Sequence, residues 1–290
     1  MFYLLGEKEC LRTLLLLTAR EGGVAENESR LKERYHDLVA AIGGPELRPP
    51  SLALDDRICY DEARIRKLVA KYMAYSGEND TNVEVTETPL AARQEAMTAL
   101  FGAMDYIKSV NPALRHLFDL VIHTLFYQRS KFSGGGSISS APGVIWCAPR
   151  RYWSRTDLAE FLVHELSHNL LFWDERRHEH YLDYGALQDP ANHALSAVRK
   201  IPRTLDRAFH SLVVASEVLC FRGETGEPAT SIVHPPSHEM RRACLETIAS
   251  MRAVITRREL VTPRFLDIVQ GIEEKISSTY QRRHGEVVAA

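Results

Sequence analysis

The run "TDLAEFLVHELSHNLLFWDE", residues 156–175, constrains the fold more than any other stretch of the chain. Apolar residues surround its centre: Phe161, Leu162 and Val163 precede His164, and Leu170 to Trp173 follow His168. A helix with apolar side chains on every face has no broad solvent side and must be buried. Two histidines and a glutamate are carried inside it, and buried groups of that kind need partners for their polar atoms. Ser154 is placed to cap this helix, with Asp157 three residues later in its first turn.

A chain of 290 residues is long enough for one large domain or two small ones. Its five cysteines are odd in number, scattered and without a CxxC pair, which is the usage of a reducing cytosol. The opening "MFYLLGEKECLRTLLLLTAR" has Glu7, Lys8 and Glu9 ahead of its apolar run and Arg12 within it. That excludes a signal peptide or a membrane span and predicts an amphipathic helix. The net charge of -2, with both signs mixed along the chain, gives no footprint for nucleic acid.

Helical spacing dominates the pattern. Residues 1–45 are predicted helical up to "GGPELRPPS", where glycine and three prolines interrupt them. "DEARIRKLVAKYMAY" and "PLAARQEAMTALFGAMDYIKSV" are read as helices with "SGENDTNVEVTET" between them as a loop or short strand. "PALRHLFDLVIHTLFYQRS" is read as one further buried helix carrying His116 and His123, with Pro112 in its first turn. The convincing β signal is "KFSGGGSISSAPGVIWCAPRRYW", one or two short strands between turns. After a mixed region at 176–202, helices are expected at 203–222, 236–258 and 263–282. The fold class is mainly α: a compact helical domain with a small β element beside the central helix. An N-terminal helical region, 1–130, and a metal-binding region, 131–290, are expected to form one continuous unit.

His164-Glu165-x-x-His168 is the pattern with which helices of zinc peptidases hold their metal. Positions four apart lie one above the other, so the two imidazoles can face one ion. With 12 histidines in the chain, chance produces this pattern only on the order of a few per cent of the time. Several residues compete for the third ligand. Asp174 occupies the last position of the extended HExxHxxGxxD pattern, but Leu171 replaces the turning glycine and leaves Asp174 roughly 15 Å along the helix from His164. His178 and His180 lie in the charged stretch "RRHEHY" and are expected to face solvent. In "RTLDRAFHSLVVASEVLCFRG", Glu217 is the choice a gluzincin-type peptidase would make, and His210 is the alternative.

"GGGSISSAPGVIWCAP", "LAEFLVHELSHNLL" and "IPRTLDRAFHSLVVASEVLCFR" together resemble the 2-oxoglutarate-dependent HExxH-type peptide β-hydroxylases, which modify ribosomally made precursor peptides. In that family a Pro-Arg turn precedes a helix whose histidine joins the HExxH pair. Here the turn matches Pro202 and Arg203, and the histidine matches His210. The resemblance covers about residues 133–223, under a third of the chain.

The resemblance implies Fe(II) held by His164, His168 and His210, with 2-oxoglutarate and O2 as co-substrates at the open positions. It also implies an arginine for the distal carboxylate of 2-oxoglutarate. Arg203 is the first choice, on the expectation that it shares a helical face with His210, and Arg207 and Arg199 follow. Glu165 would be the general base in the alternative, a zinc metallopeptidase; in the hydroxylase it would support a ligand or position substrate. Under either reading the partner is a peptide, and the glycine-rich segment is a candidate edge strand to pair with it.

Overall fold

The computed structural model describes residues 1–51, 53–75, 88–131, 133–226, 232–256 and 258–285. The expected loop at 76–88 falls almost wholly outside them. The chain divides into an N-terminal unit, Glu7–Trp173, and a C-terminal unit, Asp174–Ala290 together with Met1–Gly6. The division falls inside the HExxH helix. The mainly α class with a small β element holds.

The short helix α1 (Phe2–Leu5) belongs to the C-terminal unit. The N-terminal unit opens with α2 (Glu7–Leu17) and α3 (Glu28–Gly43), the latter capped by Asn27, whose side chain accepts the Arg30 N–H at 2.9 Å. A glycine-proline turn follows, as predicted, and then α4 (Glu62–Tyr75) and α5 (Leu90–Val110). Pro112 forces Asn111 into extended backbone, which ends α5, and the Asn111 side chain then caps α6 (Pro112–Val121) by accepting from Leu114 N–H at 3.0 Å.

The predicted helix over "PALRHLFDLVIHTLFYQRS" stops at Val121, and its second half is strand β1 (Thr124–Tyr127). Thr124, Leu125 and Phe126 are all buried, so the run shows no alternation by which to tell strand from helix. Beyond it lie β2 (Gly135–Gly136) and β3 (Val144–Cys147), and the sheet order is β1-β3-β2. β3 pairs parallel with β1, Thr124 against Val144, and antiparallel with β2, Gly136 against Trp146. The segment "GVIW" is therefore central, and the edge strands are β1 and the diglycine β2. His123, just before β1, is a core residue: Nδ1 meets Thr124 Oγ1 at 3.0 Å and Nε2 the Pro142 carbonyl at 3.2 Å. Burial pushes it down to about 3, and it is neutral at pH 7.

Trp146, Phe126 and Tyr72 centre the core of this unit, with the indole N–H donating to the Gln128 carbonyl at 2.8 Å. The helix bearing the motif, α7 (Arg155–His178), lies against the glycine strand. A Cβ on Gly135 would stand 2.3 Å from the Trp146 carbonyl and 2.6 Å from the Phe161 ring, and its φ is +146°, so only glycine fits between β3 and α7.

In the C-terminal unit a β-hairpin, β4 (Ala194–Leu195) and β5 (Pro202–Arg203), precedes α8 (Leu205–Thr225), α9 (Ser237–Ile255) and α10 (Pro263–Gly285). α8 is buried along most of its length; Phe209 stacks on Phe265 of α10 with centroids 4.2 Å apart. Among the described residues no helix is long and apolar enough to cross a membrane.

Candidate metal centre

α7 starts with a reciprocal cap. Ser154 Oγ accepts the Asp157 N–H at 3.1 Å, and the Asp157 carboxylate accepts the Ser154 N–H at 2.9 Å and its hydroxyl at 2.7 Å. Three turns further on, His164 and His168 are partly exposed while the residues flanking them are buried. Their ring centroids are 5.0 Å apart and the planes make 62°. With about 2.1 Å from nitrogen to metal and about 1.1 Å from nitrogen to ring centre, two imidazoles meeting at roughly 100° have centres about 5 Å apart. The observed separation equals that value. His168 is steadied one turn later by Phe172, stacked at 6.1 Å and 19°.

Glu165 points inward and is 4% exposed. Burial pushes its carboxyl up to about 8, with the Ser137 hydroxyl drawing it partway back. Its Oε1 is 3.9 Å from His164 Nε2, and its Oε2 is buried without a hydrogen-bond partner. One turn along, Asn169 is fully buried. Its Nδ2 donates to Ser137 Oγ at 3.0 Å and to the Glu165 carbonyl at 2.8 Å, and its Oδ1 accepts the Gly143 N–H at 2.6 Å. Asn169 and Ser137 thus tie the motif helix to both ends of the glycine-rich segment. Neither stood out in the sequence, although an amide inside "SHNLLFW" must find buried partners, and that was the available signal.

In the C-terminal unit the structure overturns one sequence expectation, the exposure of His180, and shows how Asp174 and Glu217 are engaged. Asp174 is buried and paired: Arg264 reaches it with Nε at 3.0 Å and Nη2 at 2.6 Å, and His180 Nε2 lies at 2.8 Å. His180 is accordingly fully buried, not solvent-facing, because it follows Asp174 by six residues and packs on Phe209. His178 is partly exposed, 3.9 Å from Asp174 Oδ1. Glu217 is also spent. One oxygen accepts the Tyr3 N–H and the other the Leu4 N–H, both at 3.0 Å, and the Met1 amino group pairs with it.

His210 lies on α8 with Nε2 3.0 Å from Glu175 Oε1. A carboxylate only accepts, so Nε2 is the donor in this contact. Burial lowers the His210 pKa, but the charges of Glu175 and Asp206 outweigh it and the net shift is upward. Arg203 does not share a helical face with His210, because α8 begins at Leu205 and Arg203 pairs with Ala194 in the hairpin. Arg207 lies on α8 one turn before His210, and Arg199 is exposed in the turn between β4 and β5. Elsewhere, His116 is partly exposed, between Glu7 at 3.2 Å and Glu28 at 3.0 Å.

Among the described residues, no three His, Cys, Asp or Glu side chains are gathered to hold a metal ion. No family model matches the chain, and no curated protein is detectably similar to it.

Proposed function

We propose that this chain is an Fe(II)- and 2-oxoglutarate-dependent oxygenase that β-hydroxylates a residue of a ribosomally made precursor peptide, with His164, His168 and His210 as its metal ligands. The observation that carries the reading is the engagement of both carboxylates a peptidase would draw on. Asp174 is held by Arg264 and His180, and Glu217 by the Tyr3 and Leu4 amides. Using either as a ligand would break a buried pairing, at a cost of several kcal/mol. His210 is assigned by its register behind Pro202 and Arg203, and its hydrogen bond to Glu175 is of the kind that orients a ligating imidazole.

Iron with 2-oxoglutarate and O2 would supply the oxidant that takes hydrogen from carbon, so this chemistry needs no protein base. Glu165, buried beside His164, would then support a ligand or position substrate. Arg207 replaces Arg203 as the first candidate for the distal carboxylate of 2-oxoglutarate, because it rides on the same helix as His210. The peptide would lie along β2, whose outer edge offers main-chain groups without side chains in the way.

Mass spectrometry of a candidate precursor peptide with Fe(II), 2-oxoglutarate and O2 tests the reading. A gain of one oxygen, kept at measurable rate in Glu165→Gln, is the expected result. Cleavage products that form without 2-oxoglutarate and vanish in Glu165→Gln would establish the zinc metallopeptidase instead.

A further inference from the structure

In the N-terminal unit, Gly143 begins a chain of hydrogen bonds whose donor and acceptor at each link are fixed. Its φ is +80°, and a Cβ there would stand 2.4 Å from the His123 ring and 2.8 Å from the Tyr35 hydroxyl, so only glycine fits this backbone position. Its N–H can only donate, and Asn169 Oδ1 accepts it at 2.6 Å. The Glu165 carbonyl can only accept, and Asn169 Nδ2 donates to it at 2.8 Å. Two backbone groups of opposite sense therefore set the amide in one orientation and exclude the flipped one. The other Nδ2 proton goes to Ser137 Oγ at 3.0 Å.

Ser137 keeps its own hydroxyl proton to give, and the acceptor is the Glu165 carboxylate, which that hydrogen bond favours in its charged form. Glu165 Oε2 has no hydrogen-bond partner, so Oε1 is the oxygen that takes the proton, and Oε1 stands 3.9 Å from His164 Nε2. The chain thus runs from Gly143 through Asn169 and Ser137 and ends on the one carboxylate oxygen that lies beside a histidine of the motif.

The frame that carries these groups is packed. Ser137 and Gly143 bound the segment between β2 and β3, and within it the Ala141 N–H donates to the Ile138 carbonyl at 3.1 Å and the Val144 N–H to the Ala141 carbonyl at 3.3 Å. Ile138 and Ala141 belong to the core around Trp146. Packing alone would be served by an apolar side chain in place of the fully buried Asn169, with no polar atom to satisfy. A buried run of donors and acceptors specifies one geometry, and here it specifies where Glu165 sits.

We infer that Ser137 and Asn169 are positioning residues of the HExxH site: they hold Glu165 Oε1 beside the His164 imidazole and so set how that imidazole is presented to a metal ion. The inference rests on the reading of His164 and His168 as metal ligands. Co(II), whose visible absorption reports its ligands, is the probe, titrated anaerobically into the full metal-free chain. Ser137→Ala should bind Co(II) about tenfold more weakly, the low end of what losing an outer hydrogen bond costs a metal site. Ser137→Thr keeps the hydroxyl and should bind as wild type does. In a Glu165→Ala background the hydroxyl has no carboxylate to hold, and Ser137→Ala should weaken binding no further. Ser137 is partly exposed, so its variants keep the fold even where Asn169→Ala, which strips the Gly143 N–H of its acceptor, does not. Wild-type affinity in Ser137→Ala, or the same weakening with and without Glu165, would overturn the inference and leave the metal reading standing. Absence of Co(II) absorption from wild type, or its persistence in His164→Ala, would overturn both.

Discussion

His164 and His168 present their rings 5.0 Å apart at the partly exposed face of α7, while Glu165 between them turns into the interior of the N-terminal unit. The two histidines are thus separable from the packing of the helix. His164→Ala and His168→Ala should each lose iron on anaerobic reconstitution, measured by elemental analysis. Their apo-protein melting temperatures should stay within a few degrees of wild type, because a partly exposed side chain contributes only about 0.5 kcal/mol. Full iron content in both variants would remove the site from α7.

The cap of α7 makes a second, purely structural prediction. Ser154 satisfies a first-turn N–H, and Asp157 reciprocates. Ser154→Ala should cost about 1 kcal/mol, and Ser154→Asp should restore most of it. The urea midpoint of the apo-protein measures both. An unchanged midpoint in the alanine variant would mean that tertiary packing alone fixes this end of the helix.

Asp174 predicts how the C-terminal unit meets acid. Burial raises its carboxyl, but the hydrogen bonds from His180 and Arg264 outweigh burial and hold it at about 2, below its ordinary 3.8. A carboxyl depressed in the folded state contributes stability that is complete above its unfolded pKa and is lost as pH falls through the folded one. The window is therefore about pH 4 down to 2, and the amount about 2 kcal/mol. Asp174→Asn should lower stability at pH 7 and flatten the profile through that window, as followed by denaturation at a series of pH values.

Most of the helices could be read directly, because a cap such as Ser154 and a breaker such as Pro112 act within a few residues of themselves. The HExxH pair was equally legible, since its geometry follows from helical pitch alone. β1 was not, because a strand buried on both faces has the same uniform apolar run as a core helix. Nor was the burial of His180: "RRHEHY" is charged throughout, and only Asp174 with Arg264, 90 residues further along the chain, makes a buried imidazole affordable there. The helical placement of Arg203 failed for a local reason: the helix start was set two residues too early, and Arg203 lies in the hairpin instead.

Glu217 separates the peptidase from the oxygenase without any substrate. If it is a metal ligand, Glu217→Gln must lose the ion, since a neutral amide is a poor ligand for either iron or zinc. If it is the anchor of α1, metal content stays the same and the effect appears at the other end of the chain. An amide oxygen can still accept the Tyr3 or Leu4 N–H, but not both with the strength of a carboxylate, and the Met1 amino group loses its counter-charge. Losing charge-assisted hydrogen bonds in a buried setting costs about 1.5–3 kcal/mol. That loss should be felt as local opening of α1, with faster hydrogen exchange at the Tyr3 and Leu4 amides while the amides of α8 beyond Glu217 keep their protection. Iron lost from Glu217→Gln, with Tyr3 and Leu4 still protected, would return Glu217 to the metal and displace His210 as third ligand.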